Sequence, residues 1–285
     1  RDRSVSRGLG DVYKRQGMAT AKCKVPFIPN ITGLGSAVQK SGILLSLVTV
    51  MYRTAFRKVH CVFVQNKENQ NYFLSHNIAV GKYRLIPGSG VNLNHYIVRP
   101  YKEDHGIHFA FIGRVMREKG IEEYLEAAYA LKKEYSNIYF HVYGFCEEAY
   151  EDRLKKLQEQ GVIQYHGMVK DMAEVFETIN CSVLPSYHEG MANSLLEAAA
   201  SGRPVIASNI TGCRETFDEG VSGFGFQVKD SRALIGALRK FLSLTTEERQ
   251  QMGLAGRKKV ETEFDRNIVI NAYINEIEHI SKGVK

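Results

Sequence analysis

The 285-residue chain has no run of 18 or more apolar residues, the length that marks a helix able to cross a bilayer. Its most apolar stretch, residues 43–52, is short and interrupted by Ser46 and Thr49. The polar, basic start carries no apolar core before a cleavage site and does not read as a signal peptide. Cysteine is scarce: Cys23, Cys61, Cys146, Cys181 and Cys213 are odd in number, widely spaced and without a C-x-x-C pair. That argues against a zinc site or a disulfide framework and fits reduced, cytoplasmic thiols. Cys61 and Cys181 sit inside apolar runs and are expected to be buried as small hydrophobes. His188-Glu189 lacks the second histidine of H-E-x-x-H, and Gly88-x-Gly90 is not followed by the rest of a dinucleotide fingerprint.

A net charge of +7 raises the question of nucleic acid. Residues 1–16 supply +3 of it, from Arg1, Arg3, Arg7, Lys14 and Arg15 against Asp2 and Asp11. This segment has no apolar periodicity, resembles a translated adaptor tail, and is expected to be disordered. The rest of the chain carries only +4, as scattered lysines with no recognition motif, so no nucleic-acid partner is expected.

What is present is alternation. Short apolar strands are expected at 24–31, 61–65 and 83–86, with helices at 42–59 and 67–77 between them. From 93 to 106 the pattern dissolves into polar and turn residues and reads as a linker. A second series then runs strand 108–113, helix 121–135, strand 138–143, helix 147–160, strand 163–166, helix 171–179, strand 181–184, helix 194–201 and strand 204–207. Helices follow, the last near 267–280. Strict alternation of this kind implies an α/β fold of parallel sheets with right-handed crossovers. His141 and His166 read as core or edge residues of strands.

In such sheets ligands bind beyond the carboxyl ends of the strands. The first strand of the second series is followed by Gly113-Arg114 and, a few residues on, Lys119-Gly120 at the start of a helix. Two cations beside free helix-terminal N–H groups suit a diphosphate; a solvated basic turn is the plainer alternative. The fourth strand leads into Pro185-Ser186-Tyr187-His188-Glu189-Gly190-Met191-Ala192-Asn193, and then the helix that holds Glu197. Gly190 allows close approach of backbone to ligand. Glu189 could also be an ordinary carboxylate favoured by the helix dipole. Glu197 could be an exposed helix residue, but Leu195, Leu196, Ala198, Ala199 and Ala200 surround it, and a charge there needs a partner.

Glu189 to Glu197 is an E-x7-E motif. Together with Gly113-Arg114, Lys119-Gly120 and the segment Gly202-Arg203-Pro204-Val205-Ile206-Ala207, it resembles the GT4 family of GT-B glycosyltransferases, glycosyl transferases group 1. The resemblance covers residues 24–282. It implies two Rossmann-like, doubly wound domains and a retaining transfer from a nucleotide-sugar, expected to be a UDP-sugar. Glu189 would be the catalytic-site carboxylate on the donor sugar. Gly113, Arg114 and Lys119 would bind the diphosphate, the amides of Gly190, Met191, Ala192 and Asn193 the β-phosphate, and Glu197 the ribose. Gly167, Met168 and Val169 would lie against the base. Such enzymes need no metal or other cofactor, and the absence of an acidic D-x-D motif agrees.

The first series ends its strand in Thr32-Gly33-Leu34-Gly35, where many relatives of the family place a histidine. Thr32, Gly33 and Gly35 form a candidate acceptor-side loop. With Gln65-Asn66-Lys67-Glu68 and residues 86–92, this departure resembles the subgroup that extends glycans on undecaprenyl diphosphate. The expected acceptor is a glycan or a polyprenyl-diphosphate-linked sugar, with peripheral contact on the inner face of the plasma membrane. The expected domains are the tail 1–16, the end of the acceptor-side domain at 17–92, the linker 93–106, the nucleotide-sugar-binding domain 107–265, and a helix 266–285 that crosses back to the first domain. The opening units of a full first domain are missing from this reading, so the chain is expected to be N-terminally truncated. Alternative readings are a donor-binding fragment without turnover and a GT-B sugar-nucleotide epimerase.

Overall fold

The computed structural model describes residues 15–32, 43–100 and 106–283. The chain separates into two compact units. One gathers the described residues up to Ser89 with those from Asn267 onward; the other holds the described residues of Gly90–Arg266. Residues 1–14 of the adaptor-like tail lie outside the described residues. Arg15 and Gln16, assigned to that tail, instead open a helix over residues 15–23.

The first unit holds three parallel strands in the order β1 (Asn30–Ile31), β2 (Val62–Val64), β3 (Tyr83–Leu85). Successive side chains of a strand point to opposite faces. Val62 and Val64 therefore join Ile31, Phe73 and the inner side of α1 (Ile43–Ala55), namely Val48, Tyr52 and Ala55. Cys61 and Phe63 face the other way, onto Ile86 and Val269. Helix α2 (Lys67–Ser75) starts where the Asn66 side chain accepts the Asn69 amide at 2.8 Å. Val269 belongs to the last helix (Arg266–Gly283), whose Glu276 pairs with Arg84 and with His60 Nε2 at 3.1 Å. The strand expected over 24–31 shrinks to its last two residues. Lys24 adopts a positive φ of 54°, and Pro26 and Pro29 have no N–H to donate.

The second unit is a six-stranded, wholly parallel sheet with strand order β6-β5-β4-β7-β8-β9. The strands are β4 (Ile107–Ile112), β5 (Ile138–Tyr143), β6 (Gln164–Gly167), β7 (Cys181–Leu184), β8 (Val205–Ser208) and β9 (Gly223–Phe226). Helices α3 (Ile121–Leu131), α4 (Glu151–Glu159), α5 (Met172–Thr178), α6 (Asn193–Ala200), α7 (Ser231–Leu242) and α8 (Thr246–Glu263) connect and cover it, and the last helix is α9. The unit's main apolar core includes Phe109, Phe140, Leu238 and Phe241, and a smaller cluster joins Val91, Leu196, Val260 and Phe264. Cys61 and Cys181 are buried as expected. His141 and His166 lie in the sheet and form a hydrogen-bonded series with His108, at 2.8 Å and 3.0 Å.

Three expectations need correction. Strand β9 stands where the sequence pattern leads to helices alone, because its sequence Gly-Phe-Gly-Phe carries little strand propensity. Helix α4 begins at Glu151 and not Glu147, because the Glu147 amide donates to the Val115 carbonyl at 3.1 Å. The stretch 93–106 is not a linker: its described residues belong to the second unit. Arg203, 1% exposed, donates to the carbonyls of Phe176, Arg99 and Pro100 at 2.6, 2.7 and 3.0 Å, and the Tyr96 ring packs edge-on against Phe176. A buried guanidinium must have its donors met, and the carbonyls of residues 99 and 100 meet two of them.

Candidate active site

Strand order reverses between β4 and β7, which opens a crevice beyond their carboxyl ends. The segments that carry most of the candidate residues leave the sheet there. They are held together by backbone bonds: the Tyr187 amide donates to the Glu118 carbonyl at 2.8 Å, and the Ala192 amide to Gly212 at 2.8 Å. Two glycines permit this closeness. A Cβ on Gly120, at φ 74°, would stand 2.0 Å from the Pro185 carbonyl oxygen, and one on Gly212, at φ 87°, 2.6 Å from that of Glu189. Both positions also lie in the left-handed region that side chains disfavour.

Lys119 ends a 3₁₀ turn, Arg117–Lys119, just ahead of α3. Its Nζ lies 2.5 Å from Glu189 Oε1, and both side chains are largely withdrawn from solvent. The structure thus joins two of the candidate residues directly. Arg114 has a different partner: its guanidinium pairs with Glu147, at the start of the segment after β5. A small cleft of about 170 Å³ beside it is lined by Gly113, Arg114, Tyr143, Phe145, Met168 and Val169, among others. Gly167 closes β6 at its rim, with its carbonyl accepting the Gly144 amide at 2.7 Å. Met168 is 74% exposed, an apolar side chain left open beside a cleft.

Glu197 lies in α6. Burial raises its pKa above the ordinary glutamate value, while a hydrogen bond from the Tyr96 hydroxyl and the charges of His95 and Arg266 act the other way. Burial, and then the charge of Glu197, pushes the Tyr96 hydroxyl up to about 12. The phenol therefore stays protonated and able to donate to the carboxylate.

The amides expected to meet a β-phosphate do not all fit that role. The Ala192 amide is spent on Gly212, and the Asn193 amide donates to the Met191 carbonyl at 3.1 Å. The Met191 and Ala192 side chains are buried. The physical reason is the tight packing of this loop on the one that follows β8. Thr32 is exposed beyond β1, in the first unit, and Gly33 and Gly35 lie outside the described residues. Among the described residues no group of three or more His, Cys, Asp or Glu side chains could hold a metal ion.

Sequence reasoning missed three residues at this site. Glu147 has the pattern of a helix residue but precedes the helix. Tyr96 lay in the supposed linker. Tyr187, two positions before Glu189, donates its hydroxyl to Glu123 Oε1 at 2.7 Å. No periodicity flags such contacts, because each joins residues far apart in the chain.

Comparison with known proteins gives this geometry a context. The profile of the family described as "Glycosyl transferases group 1" matches residues 99–259. An N,N'-diacetylbacillosaminyl-diphospho-undecaprenol alpha-1,3-N-acetylgalactosaminyltransferase from Campylobacter jejuni is 26% identical over 94% of this chain and 75% of its own length. The capsular polysaccharide biosynthesis glycosyltransferase CapM of Staphylococcus aureus is 29% identical over 56% of this chain, a match that spans 42% of that relative. Among solved structures, Anabaena HepE in complex with UDP-glucose superposes with a TM-score of 0.78 at 17% identity, over 96% of this chain and 77% of HepE. The shared fold is GT-B.

Proposed function

Because the chain belongs to the glycosyl transferases group 1 family, we propose that it transfers a sugar, with retained anomeric configuration, from a UDP-sugar to a glycan or polyprenyl-diphosphate-linked acceptor. The product would be a cell-surface polysaccharide or glycoconjugate. The observation that carries this reading is the Lys119–Glu189 ion pair at the switch point of the sheet. It holds a cation and a carboxylate ready, each to be taken over by a different part of the donor.

When the donor enters, the Lys119 ammonium turns to the diphosphate and Arg114 joins it by giving up Glu147. Their charge stabilises the leaving nucleotide as the glycosidic bond breaks, a preorganised electrostatic effect that needs no metal. Glu189, released from Lys119, accepts hydroxyls of the donor sugar. Glu197 accepts the ribose hydroxyls, and the base lies over Gly167, Met168 and Val169. The ligand in the HepE structure supports a UDP-sugar donor, and the name of the Campylobacter relative supports a lipid-diphosphate acceptor.

The acceptor side adds a membrane contact. No described helix is long and apolar enough to cross a membrane. However, α1 exposes Leu47 at 56% and Val50 at 55%; Arg53 near its end is exposed too, and so is Arg57 in the turn that follows. Apolar residues flanked by cations suit peripheral attachment to an anionic surface, here the inner face of the plasma membrane.

The test is turnover of radiolabelled UDP-glucose, UDP-galactose and their N-acetyl forms with a polyprenyl-diphosphate-linked acceptor, and the product's anomeric configuration read by NMR. Transfer with retention is the expected result. Binding without transfer would instead make the chain a donor-binding module, and sugar interconversion without acceptor would make it an epimerase.

A further inference from the structure

We infer that Tyr187 and Glu123 are positioning residues that hold the loop of Glu189 against the turn of Lys119 while the donor sugar is bound. This rests on the donor-site reading above and adds two residues to it. The Tyr187 hydroxyl donates to Glu123 Oε1 at 2.7 Å. Glu123 is 7% exposed, and its Oε2 is buried with no hydrogen-bond partner. Glu123 follows Lys119 by four residues, and Tyr187 precedes Glu189 by two. The Tyr187–Glu123 bond and the Lys119–Glu189 ion pair therefore tie the same two segments at two points.

The two ties differ in what donor binding does to them. Lys119 and Glu189 each take a new partner on the donor, so their ion pair is given up. The Tyr187–Glu123 bond touches neither diphosphate nor sugar in that reading, and it remains beside the bonds that the Tyr187 amide and the Ser186 hydroxyl make to the Glu118 carbonyl, at 2.8 and 3.4 Å; of the three it alone ends on an α3 side chain. Lys229 Nζ lies 4.8 Å from the centroid of the same tyrosine ring. Burial, and then Glu123, pushes the Tyr187 hydroxyl up to about 12, so it stays a donor.

Stability alone is a poor account of this pair. A buried carboxylate oxygen left without a partner is costly, and replacing both members of a buried polar pair by apolar groups is often close to neutral. What an apolar pair lacks is direction. A hydrogen bond fixes where the loop stands, and with it the Glu189 carboxylate.

The experiment compares the unsubstituted chain with Tyr187→Phe and with the double variant Tyr187→Phe, Glu123→Met. Calorimetry measures affinity for UDP and for the tightest-binding UDP-sugar of the panel above, and Tm is recorded for each protein. Tyr187→Phe should lower affinity for the UDP-sugar about five- to tenfold more than affinity for UDP, the worth of one buried hydrogen bond. The double variant should recover Tm, because no buried carboxylate is left, and should still show the selective loss. A ratio of the two affinities that does not change in Tyr187→Phe, or that recovers together with Tm in the double variant, would assign the pair to packing and overturn the inference. An unsubstituted chain that binds neither nucleotide would overturn the donor reading itself, a result read before any variant is made.

Discussion

At Glu197 a single buried carboxylate works against the fold. Burial raises its pKa, against the pull of Tyr96, His95 and Arg266. The folded state therefore holds the proton more tightly than the unfolded chain does. Stability falls as pH rises from the ordinary glutamate value through the raised one, and the loss is complete above that. Glu197→Gln removes the ionisable group and keeps an oxygen to accept from Tyr96. Its Tm should exceed that of the unsubstituted protein at pH 8, and the gap should close as pH falls toward 4, as thermal unfolding across that range would record. The same variant should bind UDP more weakly at pH 8, since a neutral amide is a poorer acceptor for ribose hydroxyls than a carboxylate. A Tm gap independent of pH would mean that Glu197 does not titrate differently in the folded protein. Glu197 could be suspected from sequence because apolar neighbours surround it. Tyr96 could not, since nothing in a run of polar and turn residues marks which aromatic ring reaches a distant helix.

At the scale of elements, α1 carries the clearest division of labour. Val48, Tyr52 and Ala55 are buried against the first sheet, so its inner face is core, while Leu47 and Val50 remain in water. Replacing both exposed residues with Gln should change stability by no more than about 0.5 kcal/mol, as for other surface positions. It should reduce flotation with liposomes that contain anionic lipid. Equal flotation of both proteins, or flotation that ignores lipid charge, would assign α1 to the fold alone. The alternation of strands and helices was legible for a simple reason: parallel strands buried on both faces are continuous apolar runs, as at Cys181–Leu184. Strand β9 was not, because two of its four residues are glycine and its place comes from pairing with β8. The first turn of α4 was not either, because contacts with the loop after β4 claim Glu147 before a helix can.

At the scale of the molecule, the second unit holds its own core, its own complete strand order and the residues assigned to the donor. The segment 90–100, which sequence patterning left as a connector, contributes Tyr96 to that core's edge and covers Arg203. Residues 90–266 expressed alone should therefore unfold in urea as a single cooperative transition, and a piece that starts at residue 107 should be less stable. Equal midpoints for the two pieces would show that the segment adds nothing to the unit. The central claim concerns the crevice between β4 and β7, and calorimetric titration of UDP into the whole chain and into its Lys119→Ala and Arg114→Ala variants tests it most directly. The account predicts binding by the unsubstituted chain and a loss of about 1.5–3 kcal/mol in each variant, the range for hydrogen bonds to charged groups. Unchanged affinity in both variants would remove these cations from the site and contradict the account.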